Sequence, residues 1–365
     1  MSTSIGNQNH CCKIEDRGPM AGQTRIAGFK EFFMQNFGLL VYEPQNGAVN
    51  IGDYIQSLAA KQFLPGVDSW LNREKLNHIG KAERTRIILN GWFMHNPASW
   101  PPAPPVDPLT ISFHINSSAA STMTSDESVK YLKEHAPIGC RDTSTLALLL
   151  KHDVDAYFSA CLTLTLKRED FCKSDRPRNS VLVVDPVPGL AGWRQLLRTP
   201  FEIARGLKHS RFDQPGRLRM ILKALLSPDL LNQARWLAHE VPARWTSHEK
   251  RFALARKRLE LYANARLVVT SRIHCALPCL AFGTPVIFLN SSASDEVSNC
   301  RFGGLLEMLN VVNINPVNLE VATQFDVTLP VRRSTIPSNP SRHHEHAVRL
   351  ERICRNFIAS GKREL

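Results

Sequence analysis

Short apolar segments alternate with amphipathic ones along the chain, and this pattern predicts an α/β fold. In the first half, the predicted strands are residues 39–42, 86–93, 109–115 and 137–140. The predicted helices are residues 51–63, 128–134 and 143–150. Residues 160–166 are strand-like, either as a strand of the sheet or as an extended edge segment.

The second half contains the strongest pattern. Residues 180–186 form a largely apolar run ended by proline, which favours a strand buried on both faces of a parallel sheet. Residues 265–289 predict a strand, a tight turn, a helix, a glycine stop and another strand, which together make one βαβ unit. Basic amphipathic helices are predicted at 193–208, 218–239 and 249–264, and a terminal helix at 347–358.

Two successive αβ segments of similar size predict two Rossmann-like domains that face a cleft, with a C-terminal helix packing back. Residues 1–37 are expected to be a partly ordered extension. The N-terminal domain is placed at 38–175, the C-terminal domain at 176–335, and the tail with its helix at 336–365.

The chain has 365 residues and a formal net charge of +12, from 45 Lys plus Arg against 33 Asp plus Glu. This excess favours an anionic partner: nucleic acid, an acidic membrane surface, or a phosphorylated or carboxylated small molecule. A hydrophobic fraction of 43% argues against disorder.

Location is predicted from two segments that the sequence lacks. It has no run of 18 apolar residues and no apolar signal-peptide core near its start. We therefore expect a cytoplasmic protein, either free or at the inner face of the membrane. The nine cysteines are odd in number, which fits reduced thiols.

Residues 270–274 combine three features of an anion site. Thr270 and Ser271 follow a buried strand and can cap the next helix, whose positive dipole end favours an anion. Arg272 adds a planar fork that matches carboxylate or phosphate. His274 adds a group that titrates near neutral pH. The alternative is a capped helix with a surface arginine and a core-facing histidine.

Two further clusters follow predicted strands or loops. Arg141 lies at a strand-to-helix turn as a second anion fork, beside Asp142, whose expected role is to cap the following helix. Asn50, Gly52 and Asp53 open a helix, where Gly52 allows close backbone approach and Asp53 can accept a proton from a hydroxyl. The alternative for Asp53 is an acidic helix start.

Other polar segments have structural interpretations that are favoured. Asp295 and Arg301 lie in a polar loop that either lines the cleft or is a solvated connection. His343 and His346 have helical metal-ligand spacing, but their charged surroundings favour a solvated tail, so no metal site is predicted. Cys275 is expected to pack on the sheet rather than act as a nucleophile.

The order of these motifs resembles the polysaccharide pyruvyl transferase family. The resemblance covers roughly residues 39–310, and its most specific part is the last. The matching segments are Asn50-x-Gly52-Asp53, Gly139-x-Arg141-Asp142, SACLTLTL at 159–166, LVVTSRIHCALP at 267–278 and GTPV at 283–286.

The resemblance implies a fold like that of the GT-B glycosyltransferases, phosphoenolpyruvate as the donor and a sugar hydroxyl pair as the acceptor, carried by a polysaccharide precursor or a lipid-linked oligosaccharide. By motif, Arg272 and His274 match the family's donor-binding arginine and catalytic histidine. Arg141 matches a second arginine, and Asp53 matches an acidic position on the acceptor side, which is the N-terminal domain.

The residues fit this chemistry independently. Phosphoenolpyruvate carries a carboxylate and a phosphate close together, and burying them unpaired costs many kcal/mol, so at least two cationic forks are needed. A protonated His274 would deliver a proton to the vinyl CH2, and Asp53 would deprotonate the attacking hydroxyl. Because arginines neutralise the phosphate, we expect neither a cofactor nor a metal.

Two other functions are compatible with parts of the sequence. A GT-B glycosyltransferase with a nucleotide-sugar donor would share the fold. A nucleic-acid-binding protein would explain the charge, but basic residues are scattered along 193–260 without a recognised nucleic-acid motif, so no specific nucleic acid is expected. A basic face that holds an anionic acceptor near a membrane explains the charge equally well.

Overall fold

A computed structural model describes residues 36–43, 47–79, 84–172, 178–197, 199–242, 247–291, 300–361 and 363. The predicted extension at 1–37 lies outside this part of the chain, except that Asn36 and Phe37 belong to the first strand. The predicted boundaries at 175/176 and 335/336 stay a prediction.

The strands in the described residues follow one another along the chain, and we number them in that order. They are β1 (Asn36–Val41), β2 (Ala48–Asn50), β3 (Ser69–Asn72), β4 (Thr85–Phe93), β5 (Val106–Ile115), β6 (Ile138–Cys140), β7 (Ala156–Phe158), β8 (Ser180–Val184), β9 (Ala234–Leu237), β10 (Glu240–Pro242), β11 (Ala265–Thr270), β12 (Val286–Asn290), β13 (Asn310–Ile314) and β14 (Val321–Thr323).

The α-helices in the described residues are numbered in the same way. They are α1 (Ile51–Lys61), α2 (Ala120–Met123), α3 (Asp126–Glu134), α4 (Thr143–Lys151), α5 (Trp193–Leu196), α6 (Pro200–Lys208), α7 (Gln214–Leu225), α8 (Pro228–Gln233), α9 (His248–Ala263), α10 (Ile273–Ala281) and α11 (His343–Ser360).

These elements build two six-stranded sheets, so the predicted α/β class with parallel sheets is confirmed. The first sheet has the order β3-β1-β4-β5-β6-β7 and is parallel throughout. The second has the order β9-β8-β11-β12-β13-β14 and is parallel except for its last pair. When the strands are numbered within each sheet, both orders are 2-1-3-4-5-6.

Strand β8 shows why the apolar runs become central strands. Val181, Leu182, Val183 and Val184 are all buried, and β8 pairs with β11 on one side and β9 on the other. A strand covered on both faces has no polar side, so its sequence is a continuous apolar run rather than an alternating one.

Three predicted elements differ from the structure. Within 160–166, the strand-like segment is instead a buried 3-10 turn at Leu162–Thr165, packed against α10 and α11. The helices predicted at 193–208 and 218–239 are both interrupted, at Pro200 and Pro228, and the last part of the second prediction is wrong, because Ala234–Leu237 is strand β9. Each of these prolines begins a new helix, because proline cannot continue the preceding one.

The two sheets share one apolar core between them, and each has a further separate core on its other face. A continuous buried cluster contains Leu39 and Val41 from the first sheet and Leu182 and Val184 from the second. Helix α1 packs against α9 and α10 within it. Strands β2 and β10 also pair antiparallel, which joins the segment before α1 to the segment after β9.

Helix α11 is tied to the first sheet through Arg86 of β4. The Arg86 guanidinium donates to the carbonyls of Phe357 and Ile358 at 3.4 and 3.3 Å, near the end of α11. Its Nε donates to Asp107 Oδ2 at 3.3 Å, and Asp107 is 4% exposed. The ion pair therefore anchors the end of the helix to β4 and β5.

Replacing Asp107 with Ala should lower the free energy of unfolding by about 3 kcal/mol, because the buried Arg86 guanidinium would lose its carboxylate. Urea denaturation followed by circular dichroism measures this change. The matched control is Asp155→Ala at an exposed aspartate, with an expected effect within about 0.5 kcal/mol. Equal stabilities of the two variants would contradict the anchoring role.

Candidate active site

The carboxyl ends of β8 and β11 meet at the point where the strand order of the second sheet reverses. Ligands of open α/β sheets bind outside such a switch point. Asp185 follows β8, and Ser271 and Arg272 follow β11. The Ser271 hydroxyl donates to the Asp185 carbonyl at 2.6 Å, and Arg272 Nε donates to Asp185 Oδ2 at 3.0 Å. An arginine–carboxylate pair therefore lies at this switch point.

Arg272 joins two carboxylates from different elements. Besides Asp185, its Nη2 donates to Glu240 Oε1 of β10 at 2.9 Å, and its side chain is 33% exposed. The cap of α10 is Arg272 itself, without a side-chain cap bond, so the prediction that Thr270 or Ser271 caps the helix is wrong. The Thr270 hydroxyl instead accepts from the Arg272 backbone N–H and donates to the Val184 carbonyl.

His274 lies in the first turn of α10, against the backbone of α1. A Cβ at Gly52 would come within 3.2 Å of the ring Nδ1, so a glycine is required for this close approach. The ring is 8% exposed, and its Nε2 is buried with no hydrogen-bond partner among the described residues. The group that closely approaches the Gly52 backbone is thus the side chain of His274.

Burial and a nearby positive charge set the protonation state of His274. Desolvation lowers its pKa well below the usual value, and the charge of Arg141 lowers it further. His239, Arg301 and Arg73 contribute in the same direction. His274 is therefore neutral at pH 7 in the ligand-free protein, whereas the sequence analysis expected a protonated ring held by a bound anion.

Arg141 is a buried guanidinium with few partners. It follows β6, is 2% exposed, and approaches Asp142 Oδ2 through Nε at 3.7 Å, outside hydrogen-bond distance. Among the described residues, no group accepts a hydrogen bond from Nε. The structure brings Arg141 and His274 together as two buried groups with unused hydrogen-bonding capacity, one from each sheet.

Asp142 caps α4, as the sequence predicted, by accepting from the Thr145 N–H at 2.9 Å. It also pairs with Nδ1 of His114 at 2.6 Å, a residue of β5 that the sequence analysis missed. Burial raises the pKa of Asp142, but the His114 hydrogen bond and nearby charges outweigh this and lower it. Burial and Arg141 lower the pKa of His114 to about 4, so a neutral His114 donates to an ionised Asp142 at pH 7.

A crevice lies at the corresponding switch point of the first sheet, between β1 and β4. Asp53 at its edge pairs with Nη1 of Arg73 at 3.2 Å. Arg73 was also missed; it is 5% exposed and lies over the rings of Tyr42 and Trp92 at 4.7 and 5.6 Å. The lining residues are Leu40, Val41, Tyr42, Asp53, Gln56, Ser57, Arg73 and Asn90.

The remaining predicted residues have structural partners or lie elsewhere. Asn50 caps α1 by accepting from the Gly52 N–H at 3.0 Å. Arg301 is exposed, lies 4.6 Å from the Phe302 ring centre, and is close enough to lower the pKa values of His114 and His274. Asp295 lies outside the described residues.

Other places in the described chain offer less chemistry. No group of three His, Cys, Asp or Glu side chains there is arranged to hold a metal, His343 and His346 included. A depression of about 580 Å³ is lined by Ser227, Asp229, Arg332 and neighbouring residues. It lies beside α8, which leads into β9, and hence at the amino ends of the strands, away from Arg272 and His274.

The profile of the family described as polysaccharide pyruvyl transferase matches residues 50–293, which include Asp53, Arg141, Arg272 and His274. A search of curated proteins found no match.

Acid should destabilise the protein through its buried neutral histidines. Burial and the charges of Arg272 and Arg258 lower the pKa of His239 to about 3. Below about pH 6.5, His239 is therefore protonated in the unfolded chain but stays neutral in the folded chain. Each such histidine costs about 1.4 kcal/mol per pH unit between about pH 6.5 and its folded pKa.

The variant His239→Gln keeps a group that can bond to the Tyr262 hydroxyl, 2.6 Å from Nε2 in the native protein. Urea denaturation between about pH 7 and 5 gives the free energy of unfolding against pH. The slope of this curve should be shallower for the variant than for the native protein, by an amount that corresponds to nearly one proton at the acidic end. The control His209→Gln changes an exposed histidine and should keep the native slope. An unchanged slope in His239→Gln would contradict the neutral assignment.

Proposed function

The chain belongs to the polysaccharide pyruvyl transferase family, and we propose that it transfers the pyruvyl group of phosphoenolpyruvate to two hydroxyls of a sugar acceptor. The product is a cyclic ketal, and phosphate is released. We propose that the acceptor is a polysaccharide precursor assembled in the cytoplasm, and that residues 38–175 and 176–335 act as two domains of a GT-B-like arrangement.

The observation that supports donor binding is that Arg141 Nε and His274 Nε2 are buried without a described hydrogen-bond partner, and that Arg141 is close enough to lower the pKa of His274. A buried guanidinium without a hydrogen-bond acceptor at Nε carries an uncompensated desolvation cost, which an anion would offset. A carboxylate or phosphate placed between Arg141 and His274 would accept from both. Because both side chains are buried, the surrounding groups must move for the donor to enter.

Binding of the donor also supplies the charge state that the chemistry needs. The ring of His274 is neutral in the free protein, and an adjacent anion favours its protonated form. The proton is thus taken up when the donor binds, and His274 can then act as a general acid. Arg141 lowers the pKa of His274, and the negative charge of the bound donor raises it.

The proposed reaction proceeds in two additions at C2 of the donor. His274 delivers a proton to the vinyl CH2, which becomes a methyl group and leaves C2 electrophilic. One sugar hydroxyl attacks C2, and its proton passes to Asp53. The second hydroxyl then displaces phosphate at C2: a second C–O bond forms, phosphate leaves with the electron pair of the broken C2–O bond, and the proton of this hydroxyl passes to the leaving phosphate.

For the acceptor, the crevice at the first switch point offers polar groups, but its volume of about 10 Å³ is much smaller than a sugar, so its lining must open for a sugar to enter. The carboxylate of Asp53 can accept from a hydroxyl, and its bond to Arg73 fixes its orientation. The rings of Tyr42 and Trp92 are half-buried beside Asp53, and Arg73 and His95 already pack against both of them. The buried Gln56 Oε1, which has no described hydrogen-bond partner, adds an acceptor.

Unlike Arg141, Arg272 already forms close ion pairs with two carboxylates, those of Asp185 and Glu240. We propose that it contacts the donor by exchanging one of these, most simply the exposed Glu240. Lysine cannot span two acceptors in the same plane, so Arg272→Lys should weaken donor binding. The hydroxyls of Thr270 and Ser271 are proposed to hold the turn rather than the donor, because both donate to backbone carbonyls.

Phosphoenolpyruvate should raise the melting temperature of the protein by several degrees, because a ligand that binds only the folded state stabilises it. Differential scanning fluorimetry measures the shift, with inorganic phosphate and pyruvate as partial donors. The variant Arg141→Met should lose most of the shift. Protection by uridine or guanosine diphosphate instead of phosphoenolpyruvate would favour a nucleotide-sugar glycosyltransferase.

Replacing His274 with Gln should lower kcat by at least about 100-fold, because general acid catalysis contributes about 10²–10⁴-fold. Phosphate release is followed with lipid-linked or nucleotide-linked sugars as acceptors, and mass spectrometry identifies the ketal. His209→Gln is the matched control and should be fully active. Near-native turnover of His274→Gln would show that another group supplies the proton.

A further inference from the structure

Helices α5 and α6 expose four large apolar side chains to solvent, and we call this surface the amphipathic patch. Trp193 and Leu197 are 55% and 53% exposed, and Phe201 and Leu207 are 72% and 67% exposed. Single exposed apolar residues are common on soluble proteins, but a contiguous group marks an interaction surface.

The patch is the outer face of a folded segment. Gly206 is buried on the inner face of α6, where a Cβ would lie 3.2 Å from the Phe212 ring. Phe212 also approaches Trp193, with ring centroids 6.3 Å apart. At helical spacing, Phe201, Ala204 and Leu207 share the outer face. The exposed side chains are therefore held outward by packing on the opposite side.

Positive charge surrounds the apolar residues. Arg205 and Lys208 flank them on the same exposed face of α6 and form no ion pair with any described residue. Residues 193–220 contain seven Arg or Lys and two acidic residues. Of the acidic pair, Glu202 is half-buried in the first turn of α6, and Asp213 pairs with Arg217 at 3.5 Å. The outward face of α6 thus combines apolar and cationic groups.

The patch segment and the turn with Arg272 and His274 both lie at the carboxyl edge of the second sheet, although α7 packs on the face opposite α10. Residues 185–213 leave the sheet at the carboxyl end of β8, and α7 then starts the return towards the amino ends. The turn containing Arg272 and His274 follows the carboxyl end of the neighbouring β11. Whatever the patch contacts is therefore held at the edge where the candidate active site opens.

We propose that the amphipathic patch docks on the surface of an anionic lipid bilayer, with its apolar side chains in the headgroup boundary and Arg205 and Lys208 on lipid phosphates. A basic amphipathic surface with Trp, Phe and Leu is the chemistry that binds such an interface. A second copy would bring like charges together, and nucleic acid would leave the apolar side chains in water. None of the described helices can span a membrane, so the contact is peripheral.

One consequence rests on the proposed function: an acceptor linked to lipid would be presented at the active-site edge by this docking. The docking itself does not depend on which reaction the protein catalyses. The two can therefore be tested separately.

Co-sedimentation with vesicles tests the docking. The protein should bind vesicles of phosphatidylcholine containing about one-third phosphatidylglycerol at least about tenfold more tightly than vesicles of phosphatidylcholine alone, with the difference reduced in high salt. The double variants Phe201→Ser/Leu207→Ser and Arg205→Glu/Lys208→Glu should each lose most of this binding. Both pairs are exposed, so circular dichroism should show native folding.

The control variants change equivalent residues elsewhere. Val317→Ser removes an apolar side chain that is 82% exposed, and Lys133→Glu reverses an exposed charge. Both should bind vesicles as the native protein does. Equal binding to the two vesicle types, or native binding by both patch variants, would overturn the proposal. So would a dimer, detected by sedimentation velocity, that the Phe201→Ser/Leu207→Ser variant dissociates.

Thermal protection by phosphoenolpyruvate separates this proposal from the proposed function. The patch variants should keep it in full while losing vesicle binding. If phosphoenolpyruvate does not protect the native protein but anionic vesicles bind it, the reaction assignment fails and the docking surface stands.

Discussion

The buried positive charge of Arg141 is the constraint on which the rest of the site depends. Its guanidinium is 2% exposed, and its one described ion pair, with Asp142, is longer than a hydrogen bond. Asp142 in turn is held by His114 and by the first turn of α4. Burial is the main reason that the pKa of His274 in the second sheet is lowered, and the charge of Arg141 lowers it further. An anion that entered here would satisfy the cation and allow the imidazole to be protonated at the same time.

The repeated strand order explains why the polar residues collect where they do. In each sheet, the chain first adds a strand on one side of the first strand and then adds the later strands on the other side. This reversal places a switch point at the carboxyl ends of β1 and β4 in the first sheet, and of β8 and β11 in the second. One switch point contains the Arg272–Asp185 pair, and the other contains the crevice with Asp53 and Arg73. Gly52 of α1 lies against His274 of α10 and so brings the two halves into contact, and Arg141 is close enough to lower the pKa of His274. The Arg272–Asp185 pair and the crevice are thus formed by the same topological feature, whereas Arg141 follows β6, two strands away from the switch point of the first sheet.

The sequence predicted those parts of this arrangement that depend on local pattern. The βαβ unit around Arg272 and the cap at Asp142 follow from residue spacing, and the structure has both. His114 and Arg73 could not be found in this way, because their partners are 28 and 20 residues distant along the chain. His114 left one signal, a titratable side chain near the carboxyl end of a predicted strand. The neutrality of His274 depends on burial and distant charges, which no local pattern records.

Proton uptake on donor binding tests the central claim most directly. Calorimetric titration with phosphoenolpyruvate at about pH 8, in buffers of different ionisation enthalpy, counts the protons exchanged; at this pH the donor phosphate is already deprotonated. The account predicts a net uptake approaching one proton by the native protein and none by His274→Gln, with both proteins still binding the donor. Binding without proton uptake by the native protein, or equal uptake by the variant, would contradict it.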